Sequence, residues 1–318
     1  MLMQKEKMLK YLVLVCVLSV NVFYADVEDH LKKIENKSDS HKMRNIDFIY
    51  VINLDQRPEK FESCLNELTP YGINPYRFSA VNGWELTLEA INDLGIKYDP
   101  WMKPGIWGTS YLPQEGGEFH HEVIHVPGRT YFSHCMSRGA IGIALSHLSI
   151  LQDAYDSGYN AIWVMEDDIE VMQNPHILSD LIDELDDLVG KNGWDILFTD
   201  RDTKDNKGNN VPCSSFAARP NYTPSNQGRF AEVQVLSPNL RKIGSRYGAY
   251  SMIVRRSGMK KMLRFLGNNQ IFLPYDMEYT QPADIRLYTV MDDVVSTQAQ
   301  ASSDNGAPNY KNQESKPE

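Results

Sequence analysis

Three consecutive carboxylates, Glu166, Asp167 and Asp168, follow the apolar run AIWVM at residues 161–165. Like charges at the end of a buried strand repel one another unless water or a divalent cation lies between them. Carboxylate oxygens are hard ligands, so the expected ion is Mn2+ or Mg2+, which keeps part of its water and bridges to substrate phosphates. In extended geometry Glu166 and Asp168 point to one side and Asp167 to the other. That makes Asp168 and Glu166 the candidate metal ligands, although a solvated turn capping the next helix would explain the triplet as well. A second pattern, His121-Glu122-Val123-Ile124-His125, has the HExxH spacing by which two histidines on a helix hold zinc while the Glu acts as base. It supports a rival reading as an exported zinc metalloprotease. Gly116, Gly117, Pro127 and Gly128 leave space for only about two helical turns, a marginal helix. Tyr131 stands where the extended pattern has a third histidine.

The elements that must position these groups are legible from periodicity. Residues 46–54 (IDFIYVINL) read as a buried strand ending at Asn53 and Asp55. Pro58 opens a helix carrying Phe61, Cys64, Leu65 and Leu68, which Pro70 and Gly72 stop. A strand over 76–80 and a helix over 86–94 follow. Residues 97–134 break the rhythm with prolines, glycines, Trp101, Trp107 and four of the eight histidines. They read as an irregular insertion of the kind that forms a functional loop or lid. Then come a helix over 139–155, the strand at 161–165, a helix over 176–189 and a strand over 194–199 ending at Asp200. A polar loop over 201–228, strands over 230–236 and 249–254, and a helix over 257–266 complete the pattern. Strands alternating with helices predict one α/β domain over 45–292, with a mainly parallel central sheet and helices on both faces. Ligands of such sheets bind beyond the carboxyl ends of the strands, where Asn53, Asp55, Glu166, Asp168 and Asp200 all fall.

The 318 residues carry 32 Lys and Arg against 42 Asp and Glu, a net charge of −10, which argues against nucleic acid as a partner. Four cysteines without C-x-x-C spacing argue against a cysteine-based zinc site. Residues 1–25 begin with Lys5, Lys7 and Lys10 and continue with an apolar run too short for an ordinary span. They read as a signal peptide or membrane anchor, placing the protein at a membrane or in the secretory pathway. The alternative is the cytoplasmic face, if the segment is not a true signal. Residues 293–318, poor in large apolar side chains, read as a disordered tail.

Five ordered segments resemble glycosyltransferase family 25, which includes lipopolysaccharide and collagen galactosyltransferases. They are IYVINLDQR at 49–57, GAIGIALSH at 139–147, AIWVMEDD at 161–168, SRYGAYSMIVRRSG at 245–258 and LPYD at 273–276. The resemblance implies a GT-A-like fold and a nucleotide-sugar donor, with UDP-galactose favoured. It also implies inverting, metal-assisted transfer to a hydroxyl of a glycan, lipopolysaccharide or glycoprotein acceptor. On the matching positions, Asp168 and Glu166 become metal ligands, with Glu166 also near the nucleotide. Asn53, Asp55, Arg57, Ser146 and His147 border the donor, Arg57 being able to hold phosphate bidentately. Ser146 can equally cap a turn, and His147 can equally be an interior histidine. Asp276 is the expected general base, with Asp200 in reserve; a helix cap is the plainer role for Asp276. Trp101 and Trp107 are offered as rings for stacking an acceptor sugar. Ile143 and Lys60 depart from residues common in the family, and the 97–134 insertion is longer than expected. A non-catalytic carbohydrate-binding relative is the further alternative.

Overall fold

The computed structural model describes residues 25–113, 116–205, 207–298 and 301–312. A single helical turn at Ala25–Glu28 comes first. The chain then runs β1 (Phe48–Asn53), α1 (Pro58–Leu68), β2 (Tyr76–Ser79), α2 (Leu88–Leu94), β3 (Ile96–Lys97), β4 (Trp107–Tyr111), β5 (Phe119–Val123) and β6 (Thr130–Ser133). It continues through α3 (Arg138–Asp156), β7 (Ala161–Glu166), β8 (Ile169–Val171), α4 (Ile177–Val189), β9 (Ile196–Phe198), β10 (Val233–Val235) and β11 (Leu240–Ile243). The last elements are β12 (Ser251–Arg255), α5 (Arg256–Asn269), α6 (Tyr275–Glu278), β13 (Leu287–Val290) and β14 (Val295–Thr297). The expected leader at 1–25 lies outside the described residues except for Ala25. No helix among the described residues is long and apolar enough to cross a membrane.

β1 is buried along its whole length because its alternate side chains meet helices on opposite faces. Phe48, Tyr50 and Ile52 join Ile141, Leu145 and Leu148 of α3 and Met259 and Met262 of α5 in one core cluster. Ile49 and Val51 join Cys64 and Leu68 of α1 and Leu178, Ile182 and Leu185 of α4 in another. β7 repeats the division, with Ile162 and Val164 on the first face and Trp163 and Met165 on the second. The expected α/β domain with helices on both faces is therefore present, around an eight-stranded sheet of order β10-β11-β13-β9-β12-β7-β1-β2. Its pairings are mixed. β2–β1, β1–β7 and β13–β9 are parallel, whereas β7–β12, β12–β9, β13–β11 and β11–β10 are antiparallel. β11 and β13 carry no strong alternation and went unanticipated; the predicted strand over 230–236 shrinks to a 3-10 turn and β10.

Two expectations need correcting. Residues 97–134 are not irregular: they belong to a four-stranded sheet of order β3-β6-β4-β5, whose pairings are antiparallel. Its inner residues Ile96, Ile124 and Tyr131 pack on Phe272 and Leu273. The glycines and prolines that hid this sheet occupy its turns, with Gly105, Gly116, Gly117 and Gly128 at positive φ. The predicted tail is also ordered where it is described. β14 pairs with β8, and residues 301–312 lie against the domain with Tyr310 buried. Composition misleads there because the segment builds no core of its own and instead bonds its polar groups into an existing one.

Parallel β1, β2 and β7 end at the same edge, and α3 begins beside them. Their loops can meet α3 because glycines allow its backbone to approach. A Cβ on Gly142 would lie 2.4 Å from the Val81 carbonyl oxygen, and one on Gly83 would lie 1.8 Å from that of Arg138. Gly142→Ala is therefore expected to destabilise the domain by about 1–3 kcal/mol through overpacking. Chemical denaturation should show a lower midpoint with an unchanged slope.

Candidate functional site

The joined ends of β1, β2 and β7 leave a cavity of about 90 Å3 against the first turns of α3. Its acidic wall is Glu166, Asp167 and Asp168, and its cation is Lys60 from α1. Val81, Gly83 and Trp84 from the loop after β2, with Gly139, Ile143 and Ser146 of α3, line the opposite side. Residues 303–305 close the mouth.

The acidic wall is strained electrostatically. Burial raises Glu166 to about 7, reinforced by the carboxylates of Asp167 and Asp276 and opposed by Lys60. Burial likewise raises Asp168 to about 6, with Glu166 adding to the effect and Lys60 opposing it. Asp167 does not point away as the strand alternation predicts. The chain turns at residues 167–168, so Asp167 enters the cavity wall, accepts a 2.6 Å hydrogen bond from Asn53 Nδ2 and lies 3.6 Å from Lys60 Nζ. Asp168 Oδ1 is buried and has no hydrogen-bond partner. An unpartnered carboxylate oxygen beside a second raised carboxylate suits a divalent cation. Among the described residues no three His, Cys, Asp or Glu side chains gather into a metal cage. The donor set therefore fits an ion completed by water and phosphate oxygens, and not a cage built wholly from protein.

The other predicted residues divide between the cavity and its supports. Ser146 lines the cavity, where its Oγ accepts from Val81 N at 2.9 Å and donates to the Gly142 carbonyl at 2.8 Å, tying the loop to α3. His147 is buried, stacked on Tyr275 with centroids 4.1 Å apart, and its Nε2 lies 3.4 Å from Glu166 Oε1. Burial pushes its pKa down to about 3, against the opposing Asp276 carboxylate, so it is neutral at ordinary pH. Asn53 faces inward as a joint: its Nδ2 also donates to the Arg57 carbonyl, and its Oδ1 accepts from Arg77 Nε at 2.7 Å. Asp55 lies outside the cavity, held by Arg77 and Ser79. Arg57 is buried behind the mouth, where its guanidinium holds Glu59, Ser302 and Asp304.

Asp276, at the start of α6, is raised by burial and accepts a 3.0 Å hydrogen bond from Gly248 N. It stands behind Glu166 and does not line the cavity. The reserve base Asp200 lies away from the cavity: it is fully buried, which raises its pKa, pairs with Arg246 at 2.9 Å, and accepts from Tyr250 and Ser296. Trp101 and Trp107 are exposed, at 69% and 57%, and neither lines the cavity. Periodicity missed Trp84 and Asp304, which lie in segments without alternation. Lys60 drew notice only as a departure.

The HExxH pattern is not a zinc site. Residues 119–123 form β5, so the pattern begins in extended chain and lacks the helix that would bring His121 and His125 onto one face. His121 Nδ1 bonds Thr109 Oγ1, Glu122 is held by Arg129 and Tyr131, and His125 Nδ1 reaches the Val123 carbonyl. The metalloprotease reading falls with the helix it required.

A family model described as glycosyltransferase family 25 (LPS biosynthesis protein) matches residues 46–279. A glycosyltransferase 25 family member of Aedes aegypti is 27% identical over 176 residues, covering 55% of this chain and 24% of that protein. Its namesake in Drosophila melanogaster is 28% identical over 141 residues, covering 44% and 19%. A Homo sapiens protein named inactive glycosyltransferase 25 family member 3 is 28% identical over 156 residues, covering 49% and 22%. The matched region is thus about a fifth to a quarter of these relatives' length.

Asp168→Asn removes one charge from the crowded wall. The folded state keeps a proton on Asp168 up to about 6, whereas the ordinary value is 3.8. Stability from this group is therefore full below the ordinary value and lost as pH rises through the folded one. In the metal-free protein at pH 8 the substitution is expected to raise Tm by about 2–4 °C. Thermal scans should show the gain disappearing as pH falls below about 4.

Proposed function

The chain belongs to glycosyltransferase family 25, and from that premise we propose that it transfers a hexose from a nucleotide sugar to an acceptor hydroxyl with inversion. UDP-galactose is the donor favoured by the family resemblance, and the acceptor is a glycan, lipopolysaccharide or glycoprotein. The observation that carries the reading is the orphaned Asp168 oxygen in a carboxylate wall at the carboxyl end of β7. Asp168 and Glu166 would hold Mn2+ or Mg2+, which when bound neutralises charge developing on the diphosphate leaving group. Lys60 adds positive charge to the same wall, and Arg57 has the fork geometry for a phosphate. Ser146, tying α3 to the loop after β2, holds that wall of the donor pocket in place. The acceptor oxygen attacks the anomeric carbon, the bond from that carbon to the diphosphate breaks, and the hydroxyl proton goes to Asp276, which the acceptor must approach from behind Glu166, outside the donor cavity. Burial already raises Asp276, which favours a proton acceptor over a permanently charged carboxylate. Asn53 and Asp55 serve as supports of the first loop. The exposed rings of Trp101 and Trp107 suit acceptor sugars farther from the reacting carbon. The basic and then apolar start of the chain supports membrane association or the secretory pathway.

A second reading, a sugar-binding relative without turnover, is favoured by the names of the human and mouse relatives, which call them inactive. A screen of several nucleotide sugars, with and without Mn2+ and read by mass spectrometry, separates the two. Metal-dependent release of a nucleoside diphosphate is expected, abolished in Asp168→Ala. Asp276→Asn should lower kcat by about 10^2–10^4-fold with little change in donor KM. Binding without turnover across the whole screen would favour the second reading, and full activity of Asp168→Ala would overturn the site.

A further inference from the structure

The cavity is too small for the ligand assigned to it. It measures about 90 Å3, whereas pockets for cofactor-sized ligands run to about 300–1,000 Å3. What narrows it is the segment 302–310. Asp304 Oδ2 accepts from Arg57 Nη1 at 2.6 Å, and Ser302 Oγ accepts from Arg57 Nη2 at 2.7 Å. Arg57 and Asp304 are both buried, at 3% and 8% side-chain exposure. The segment is fastened on both sides. Trp84 Nε1 donates to the Asp304 carbonyl at 2.8 Å, and Ser137 Oγ donates to the Asn305 carbonyl at 2.5 Å. Tyr310 anchors the far end, its hydroxyl accepting from Asn82 Nδ2 at 3.0 Å and its amide donating to Asp304 Oδ1 at 2.9 Å. Gly139 completes the seat, since a Cβ there would lie 2.3 Å from the Asn305 carbonyl oxygen. Beyond the segment lies a cleft of about 610 Å3 that shares Trp84 with the cavity and borders residues 306–308.

The Asp304 carboxylate takes one guanidinium nitrogen of Arg57 and the Ser302 hydroxyl takes the other, so the strap fills the two-pronged fork that would otherwise hold a phosphate. We propose that residues 302–310 are a strap that occupies the donor-diphosphate subsite, and that a nucleoside diphosphate displaces Asp304 from Arg57 on binding. The inference rests on the nucleotide-sugar reading above. Displacement frees Arg57 for the diphosphate, lifts the chain from Trp84 and opens the small cavity toward the cleft, giving the volume that a nucleotide sugar needs. While the strap is seated, the apparent affinity for the donor is reduced by the fraction of molecules that are closed.

The test is titration calorimetry of UDP with Mn2+ against the full chain, Asp304→Ala and Tyr310→Ala. The second variant loosens the strap without touching Arg57. Both variants are expected to bind UDP at least tenfold tighter. Hydrogen exchange across 302–310 should also quicken when UDP is added to the unsubstituted chain. Equal affinities, weaker binding in both variants, or slower exchange with UDP would overturn the strap, the last two outcomes making the segment a permanent wall of the site. If none of the three proteins binds UDP while all remain folded, the nucleotide-sugar reading itself fails.

Discussion

Glu166, Asp167 and Asp168 follow a strand whose preceding residues are all buried, and a low-dielectric end of that kind opposes three negative charges unless cations answer them. Within the described protein the answer is partial. Lys60 and Asn53 engage Asp167, His147 stays neutral beside Glu166, and Asp168 keeps an oxygen without a partner. That unsatisfied remainder is the feature on which the proposed cation site rests, because an ion that brings its own water and phosphate ligands would answer it.

Apart from Lys60, the groups around this wall hold it in place without neutralising it. Asn53 binds the acidic turn, the Arg57 carbonyl and Arg77 at once, linking β1, α1 and β2. Ser146 and the glycines at 83 and 142 bring α3 within backbone contact of the loop after β2. Tyr275, stacked on His147, carries α6 to the back of the same wall and places Asp276 behind Glu166. A supporting role explains why several polar residues at strand ends face one another and not the cavity: a buried polar group must be satisfied wherever it sits. Asp200 is a case in point: its Oδ2 accepts from Tyr250 and Ser296, and its Oδ1 is met by the Arg246 charge.

The sequence alone determined β1, α1, α3, β7 and α4, because long runs with a clear apolar period have few other ways to be buried. It also marked the carboxylates beyond β7 as the candidate site, since charge directly after an apolar strand is a local signal, and five ordered motifs sufficed to suggest the family. Tertiary structure decided the rest, through contacts distant in sequence. The first three residues of HExxH joined a strand because β4 offered it an edge to pair with, a pairing that four-residue spacing cannot encode. Asp167 turned inward because Asn53, 114 residues away, waits to bond it. Residues 301–312, too polar to form a core, are held by Arg57, Trp84, Ser137 and Asn82. Local periodicity reports what a segment must bury; which partners satisfy its polar groups is settled only when the remote parts of the chain meet.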